Sequence, residues 1–217
     1  PLGKKRYEYS DLGFLLLKEI IENITEQTLD LFVSEQFYKP MGMTNTCFNP
    51  IQKGIPLNRI APTENDTYFR MQMIQGFVHD QTAALFGGVC GNAGLFSTAE
   101  DMGKLSLMIL QKGLFNGKRY VSEATVSLFT TCYPIHNCKS RGLGFYTPNF
   151  AEPSEILPKQ VSNLTFGHQG FTGTVFWIDP EEQLIYIFLS NRVYPNVEPN
   201  NLAKSKIRLI LHEKMVE

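Results

Sequence analysis

The sequence has little of several things, and each shortage narrows what the chain can be. No run of about 18 apolar residues occurs, so no transmembrane helix is expected. Charge is nearly balanced, with 20 Lys and Arg against 21 Asp and Glu and a net charge of −1. That leaves no basic footprint for nucleic acid or an anionic membrane surface. Cysteine is sparse: four residues, at 47, 90, 132 and 138, with no Cys-x-x-Cys pair of the metal-binding kind. Cys132 and Cys138 could close a short disulfide loop; four free, mostly buried thiols are the other reading, and the redox compartment stays open. The Gly-dense run at 87–96 lacks the Lys and following Ser or Thr that a phosphate loop needs. There is no internal repeat, no low-complexity segment, no visible signal peptide and no initiating Met, since the chain opens Pro1-Leu2-Gly3.

What is present suits a large core. The chain has 217 residues, 43% of them hydrophobic and 12% aromatic. Three strands are expected near the C-terminus, over 164–169, 172–178 and 184–189. The second is β-branched and aromatic, and the third is an almost unbroken apolar run, as in a strand covered on both faces. Gly170 and the Asp179-Pro180 turn separate them closely enough to make antiparallel neighbours. Residues 199–217 space apolar side chains among Lys, Arg and Glu, which predicts an amphipathic helix lying on the sheet.

Earlier in the chain, Leu12, Phe14 to Leu17, Ile20, Ile21 and Ile24 predict a helix that is apolar on most faces and therefore buried. Ser10 or Asp11 is suited to cap it. Helices are also expected over 28–37, after the capping box of Ser97 and Glu100, and over 122–131. Residues 49–76 show little periodicity and read as a long excursion broken by Pro50, Pro56 and Pro62. His79-Asp80 has the composition of an oriented base, but adjacent side chains rarely face each other, so a structural role is expected. Residues 147–162 read as loop.

Several segments together carry a resemblance. Gly167-His168-Gln169-Gly170, followed by Phe171-Thr172-Gly173-Thr174, resembles the third active-site motif of the serine β-lactamase and penicillin-binding-protein superfamily. There the triplet is Lys-Thr-Gly or His-Thr-Gly, and Gln169 departs from it. Tyr9-Ser10-Asp11 is similar to the second motif, Tyr-x-Asn, with Asp11 in place of Asn. A carboxylate only accepts hydrogen bonds, so Asp11 cannot donate to a substrate carbonyl. Pro40-Met41-Gly42-Met43, the run from Gly91 to Asp101, and Gly142-Leu143-Gly144-Phe145 resemble segments of the class C branch, which includes esterases and D-aminopeptidases.

The resemblance implies an α+β, β-lactamase/transpeptidase-like fold: an antiparallel sheet with helices packed on it, beside a helical region. It implies one partial domain, with residues 1–150 mainly helix and loop around a cleft and 151–217 supplying strands and the C-terminal helix. The superfamily's nucleophile is the Ser of Ser-x-x-Lys, and no Ser in these 217 residues has Lys three positions later. The expectation is a C-terminal portion of a larger hydrolase, inactive alone, that self-associates or needs its N-terminal part. By resemblance, Tyr9, Asp11 and His168 are catalytic residues converging on one cleft, with Tyr9 the proton shuttle, and Gln169, Gly170 and Phe171 form its oxyanion and substrate wall. The implied substrate is a small-molecule or peptide acyl compound: an ester, a D-amino-acid peptide or a β-lactam. No cofactor or metal is implied, and the family's usual location is periplasmic or otherwise extracytoplasmic. The alternative is a non-catalytic descendant that binds cell-wall peptide or glycan, which the departures at Asp11 and Gln169 motivate.

Overall fold

A computed structural model describes residues 8–133, 141–148 and 156–217. Cys138, and with it the expected Cys132–Cys138 loop, lies outside the described residues. The described chain forms two compact units. The helix-rich unit is Ser10–Met102 with Ser190–Asn201; the sheet unit holds the described parts of Pro1–Tyr9, Gly103–Leu189 and Leu202–Glu217.

The helix-rich unit begins with α1 (Leu12–Thr25). Ser10 Oγ accepts from the N–H of Leu12, while the Asp11 side chain makes no capping bond. One face of α1 packs inward: Leu15 touches the cluster of Val78, Ala83 and Cys90. The opposite face is not buried as the composition predicts. Leu12, Leu16, Ile20 and Ile24 are each more than half exposed. Their spacing of four residues puts them in one row along the helix, so a high apolar count coexists with an uncovered face.

Lys18 pairs with Glu22 at 2.6 Å, and the other Glu22 oxygen accepts from the N–H of Leu29 at 2.8 Å. That link fixes the start of α2 (Leu29–Val33), which continues into a π-helical turn over Ser34–Tyr38. Strand β1 (Cys47–Phe48) follows.

The segment 49–76 is more ordered than its sequence suggests. It contains a 3₁₀ turn (Leu57–Arg59) and an antiparallel hairpin of β2 (Pro62–Asp66) and β3 (Gln72–Gln75). Buried Asp66 organises the hairpin loop by accepting from the N–H groups of Tyr68, Phe69 and Arg70. These bonds, the one from Phe69 foremost, hold its carboxyl well below the usual carboxylate range. The Arg70 guanidinium donates to the carbonyls of Val78 and His79, joining the loop to the next segment.

Asp80 caps α3 (Gln81–Leu85) by accepting from the N–H of Ala83 at 2.7 Å. His79 Nε2 lies 2.5 Å from Glu64 Oε2. The His-Asp pair is thus split between two structural jobs. After it, β4 (Leu95–Phe96) pairs antiparallel with β1. The glycines between are there for close approach: a Cβ on Gly91 would strike the Phe14 carbonyl of α1, and one on Gly94 the Gly88 carbonyl.

Helix α4 (Ala99–Leu110) is capped by Thr98, whose hydroxyl accepts from the N–H of Asp101, not by the expected Ser97 and Glu100 box. Ser97 instead contacts the Thr46 hydroxyl at 2.8 Å. Fully buried Asp101 accepts from the Asn45 N–H at 2.8 Å and the Thr46 hydroxyl at 2.9 Å, bolting the segment after Met43 to the helix start.

In the sheet unit, a small hairpin of β5 (Leu114–Phe115) and β6 (Lys118–Arg119) precedes α5 (Glu123–Thr130), which Ser122 caps. The main sheet has the order β7 (Phe166–Gln169), β8 (Val175–Asp179), β9 (Leu184–Phe188), antiparallel throughout. Strand β8 begins three residues later than its β-branched sequence suggests. The bonds Gly170 N–H to Thr174 O and Gly173 N–H to Gly170 O, with φ +112° at Gly173, fold that stretch into the turn.

One sheet face holds the core of Leu157, Val161, Val175, Trp177 and Tyr186, with Val216 against it. The expected C-terminal helix is two helices, α6 (Asn201–Ser205) and α7 (Ile207–Val216), broken at Lys206, which takes φ +53°. Helix α7 lies on this sheet: the Tyr186 hydroxyl donates to the Arg208 carbonyl at 2.8 Å, and the Tyr186 and His212 rings stack 4.4 Å apart. Asp179, buried at the end of β8, accepts from the N–H and hydroxyl of Ser162 and the hydroxyl of Thr165. Burial opposes its charge, yet these bonds prevail and its pKa is lowered.

Candidate active site

The site is built on β7. Strand alternation puts Phe166 and His168 on the face opposite the Trp177 core, beside Phe176 of β8, and Phe145 packs edge-on against Phe166 and Phe176. Gly167 allows this. A Cβ there would strike the Phe176 carbonyl and come within 2.5 Å of the Trp177 ring, so only glycine lets β7 lie this close to β8.

Tyr146 bridges the other edge of β7, exchanging backbone hydrogen bonds with Gly167 at 2.8 and 3.1 Å. Its ring stands 4.9 Å from that of His168, centroid to centroid. Tyr9 approaches from the chain's beginning, with ring centroids 6.4 Å apart between Tyr9 and His168. Residues separated by 159 positions, 9 and 168, therefore share one site.

Arg141, which carried no local signal in the sequence, completes the cluster. Its guanidinium carbon sits 3.2 Å above the Tyr146 ring centroid and 5.3 Å from that of Tyr9. Nη1 is 3.5 Å from His168 Nε2. The signal that finds it is topological: Arg141 bridges Tyr146, and Tyr146 bridges Gly167.

The remaining expected site residues are placed as follows. Gln169 ends β7 opposite Val175, and its carbonyl lies 2.9 Å from His168 Nδ1. Gly170 opens the turn to β8, and Phe171 projects from that turn, mostly exposed. Asp11 belongs to the helix-rich unit, where its carbonyl accepts from the N–H groups of Phe14 and Leu15.

The helix-rich unit has its own cavity of about 370 Å³, lined mainly by apolar side chains including Phe14, Leu17, Ile21, Tyr38 and Cys90. Asn92 also lines it, and Asn92 Oδ1 is buried without a hydrogen-bond partner among the described residues. Among the described residues no group of three or more His, Cys, Asp or Glu is arranged to hold a metal ion, and no helix is long and apolar enough to cross a membrane.

Comparison with known proteins bears on this arrangement. The profile of the family described as Beta-lactamase matches residues 3–208. The chain is 32% identical over 228 residues to an Escherichia coli K12 protein named "Putative D-alanyl-D-alanine carboxypeptidase", covering 98% of this chain and 52% of that protein. It is 35% identical over 211 residues to a protein of the same name from Salmonella paratyphi B, covering 90% of this chain and 48% of that one. The chain thus spans about half the length of the curated relatives it matches.

Among solved structures, it resembles a penicillin-binding-protein homologue from Caulobacter crescentus (TM-score 0.63, 17% identity, 100% of this chain and 60% of that one). It also resembles a β-lactamase from Mycobacterium bovis (TM-score 0.59, 21% identity, 93% and 65%). At these identities the structures speak to the fold, which is the β-lactamase/transpeptidase-like α+β arrangement of helices and antiparallel sheet. With nearly its whole length matched by the family profile, the chain belongs to the β-lactamase family of serine hydrolases and their relatives.

Proposed function

We propose that this chain supplies the Tyr and His motifs of a serine hydrolase that works through an acyl-enzyme on a peptide ending in D-amino acids, with esters and β-lactams as related acyl substrates. The observation that carries this reading is the meeting of Tyr9 with His168 and Arg141 on the edge of β7. The names of the curated relatives add the D-alanyl-D-alanine end as the substrate class.

In this reading a serine from outside the 217 residues attacks the carbonyl and forms the acyl-enzyme. Tyr9 takes and returns the proton. An ordinary phenol titrates near pH ~10, so Tyr9 needs a cation beside it to act as a base at neutral pH. The Phe171 N–H, at the turn after β7, contributes half of the oxyanion hole, and the nucleophile's own N–H contributes the other half. These 217 residues contain no Ser-x-x-Lys, so the chain by itself is expected to turn over no acyl substrate.

The test has two arms. The first incubates the chain with a chromogenic cephalosporin, a p-nitrophenyl ester and an acyl-D-Ala-D-Ala peptide, with mass spectrometry as the acylation trap. No adduct is expected, and a stoichiometric adduct on any Ser of this chain would show the nucleophile to be misassigned. The second repeats the assay on a longer protein containing this chain and a Ser-x-x-Lys; failure to acylate there would favour the peptide- or glycan-binding alternative, to which the acceptor-only Asp11 lends support.

A further inference from the structure

We propose that Arg141 is a positioning residue for His168, fixing it as the neutral Nδ1–H tautomer, so that the permanent positive charge beside Tyr9 belongs to Arg141 and not to the histidine. Two contacts make the same demand. His168 Nδ1 lies 2.9 Å from the Gln169 carbonyl oxygen, and a carbonyl only accepts, so Nδ1 carries the proton. On the other side, Nη1 of Arg141 lies 3.5 Å from Nε2. A guanidinium has donors and no acceptor and does not lose its proton, so Nε2 is the accepting lone pair. A second proton on Nε2 would set one N–H against another, cation against cation.

Backbone and ring contacts hold Arg141 at this edge of the sheet. Its backbone bridges Tyr146, which in turn bridges Gly167, the neighbour of His168. The guanidinium sits 3.2 Å over the Tyr146 ring centroid, and the Tyr146 ring also stands 4.9 Å from the imidazole. Tyr146 therefore serves as a common platform for both side chains. A cation over an aromatic face is favoured by the ring quadrupole, which holds the charge where its donor reaches Nε2. The same guanidinium is 5.3 Å from the Tyr9 ring centroid.

The catalytic meaning of this arrangement rests on the hydrolase reading: there, Arg141 is the fixed cation that Tyr9 needs, and His168 stands beside it as an uncharged ring whose Nε2 lone pair holds the guanidinium in place. The tautomer itself is independent of that reading.

The experiment is a long-range ¹⁵N–¹H correlation spectrum of the ¹⁵N-histidine-labelled chain at neutral pH, with His168 assigned by loss of its signals in His168→Gln. The expected spectrum shows a pyrrole-type Nδ1 and a pyridine-type Nε2. In Arg141→Met, which keeps bulk over Tyr146 but removes the donor, the expected result is loss of the single tautomer to a mixture or to imidazolium. Arg141→Lys is expected to restore part of the native signature, because an ammonium also donates. A native His168 found as Nε2–H or as imidazolium overturns the proposal. So does an unchanged tautomer in Arg141→Met with the backbone spectrum intact; if that variant does not fold, the native and Arg141→Lys spectra decide. No substrate enters the measurement, so failed acylation of the longer protein would refute the hydrolase reading while leaving this result standing.

Discussion

His212 makes the stability of the sheet unit depend on pH in a calculable way. Its ring is buried between α7 and the sheet, stacked on Tyr186, with Nδ1 lacking a hydrogen-bond partner among the described residues. Burial pushes its pKa down to about 4, with the negative charge of Asp179 opposing that shift. In the unfolded chain an imidazole titrates near ~6.5. As pH falls, the unfolded state takes up the proton first, so the contribution is fully present above about pH 6.5, shrinks between about 6.5 and 4, and levels off below. From these two values, going from pH 7 to pH 5 removes about 2 kcal/mol, a large part of a marginal stability of roughly 5–15 kcal/mol. The assay is urea unfolding followed by far-UV circular dichroism at pH 7, 6 and 5, comparing the native chain with His212→Phe. Phenylalanine keeps the stack and cannot titrate. The stability difference between the two chains is expected to shift in favour of the variant by about 2 kcal/mol from pH 7 to pH 5. A difference that stays constant over that range would refute the reasoning, because it would mean that His212 is protonated to the same extent folded and unfolded.

Asp101→Ala is expected to cost about 3 kcal/mol in the same urea experiment, because the Asn45 N–H and the Thr46 hydroxyl lose a buried, charged acceptor. Gly167→Ala should destabilise the chain by about 1–3 kcal/mol and shift amide signals on both sides of the β7–β8 pairing, since the new Cβ meets the Phe176 carbonyl; a silent substitution would mean that the two strands are not so close. Leu16→Lys combined with Ile20→Lys is expected to leave thermal unfolding nearly unchanged and to reduce self-association in sedimentation velocity, because both side chains are exposed on one apolar row of α1. Equal sedimentation of the variant and the parent would place any association elsewhere.

How far the sequence alone reaches depends on whether the information is local. The three strands were legible because apolar and β-branched runs between Gly170 and the Asp179-Pro180 turn leave few other readings, and the structure pairs them antiparallel. Tyr9 and His168 were legible only through motif resemblance, since nothing local says that residues 9 and 168 meet. Arg141 was missed because its place beside His168 comes from a bridge to Tyr146 and not from its sequence neighbours. The β2–β3 hairpin was missed because its order comes from a polar group, the Asp66 carboxylate, and polar residues leave no periodic trace. The α1 reading failed for a different reason: hydrophobicity reports what a helix would bury, while only its neighbours decide which face is covered. The break at Lys206 likewise sits inside a pattern that is amphipathic on both sides of it.

The absence of a side chain on Gly167 also decides what the protein can be seen to do. The only tryptophan in the 217 residues, Trp177, is 1% exposed and lies directly across the ladder from that glycine, one residue away from the partner of His168. Its emission therefore comes from a dry, fixed environment in the same two strands that carry the histidine. The chain has a built-in optical reporter with a single origin: a red shift or a rise in quenching by iodide signals that the packing around Trp177, the β7–β8 pairing included, has opened, without a label and without interference from a second indole.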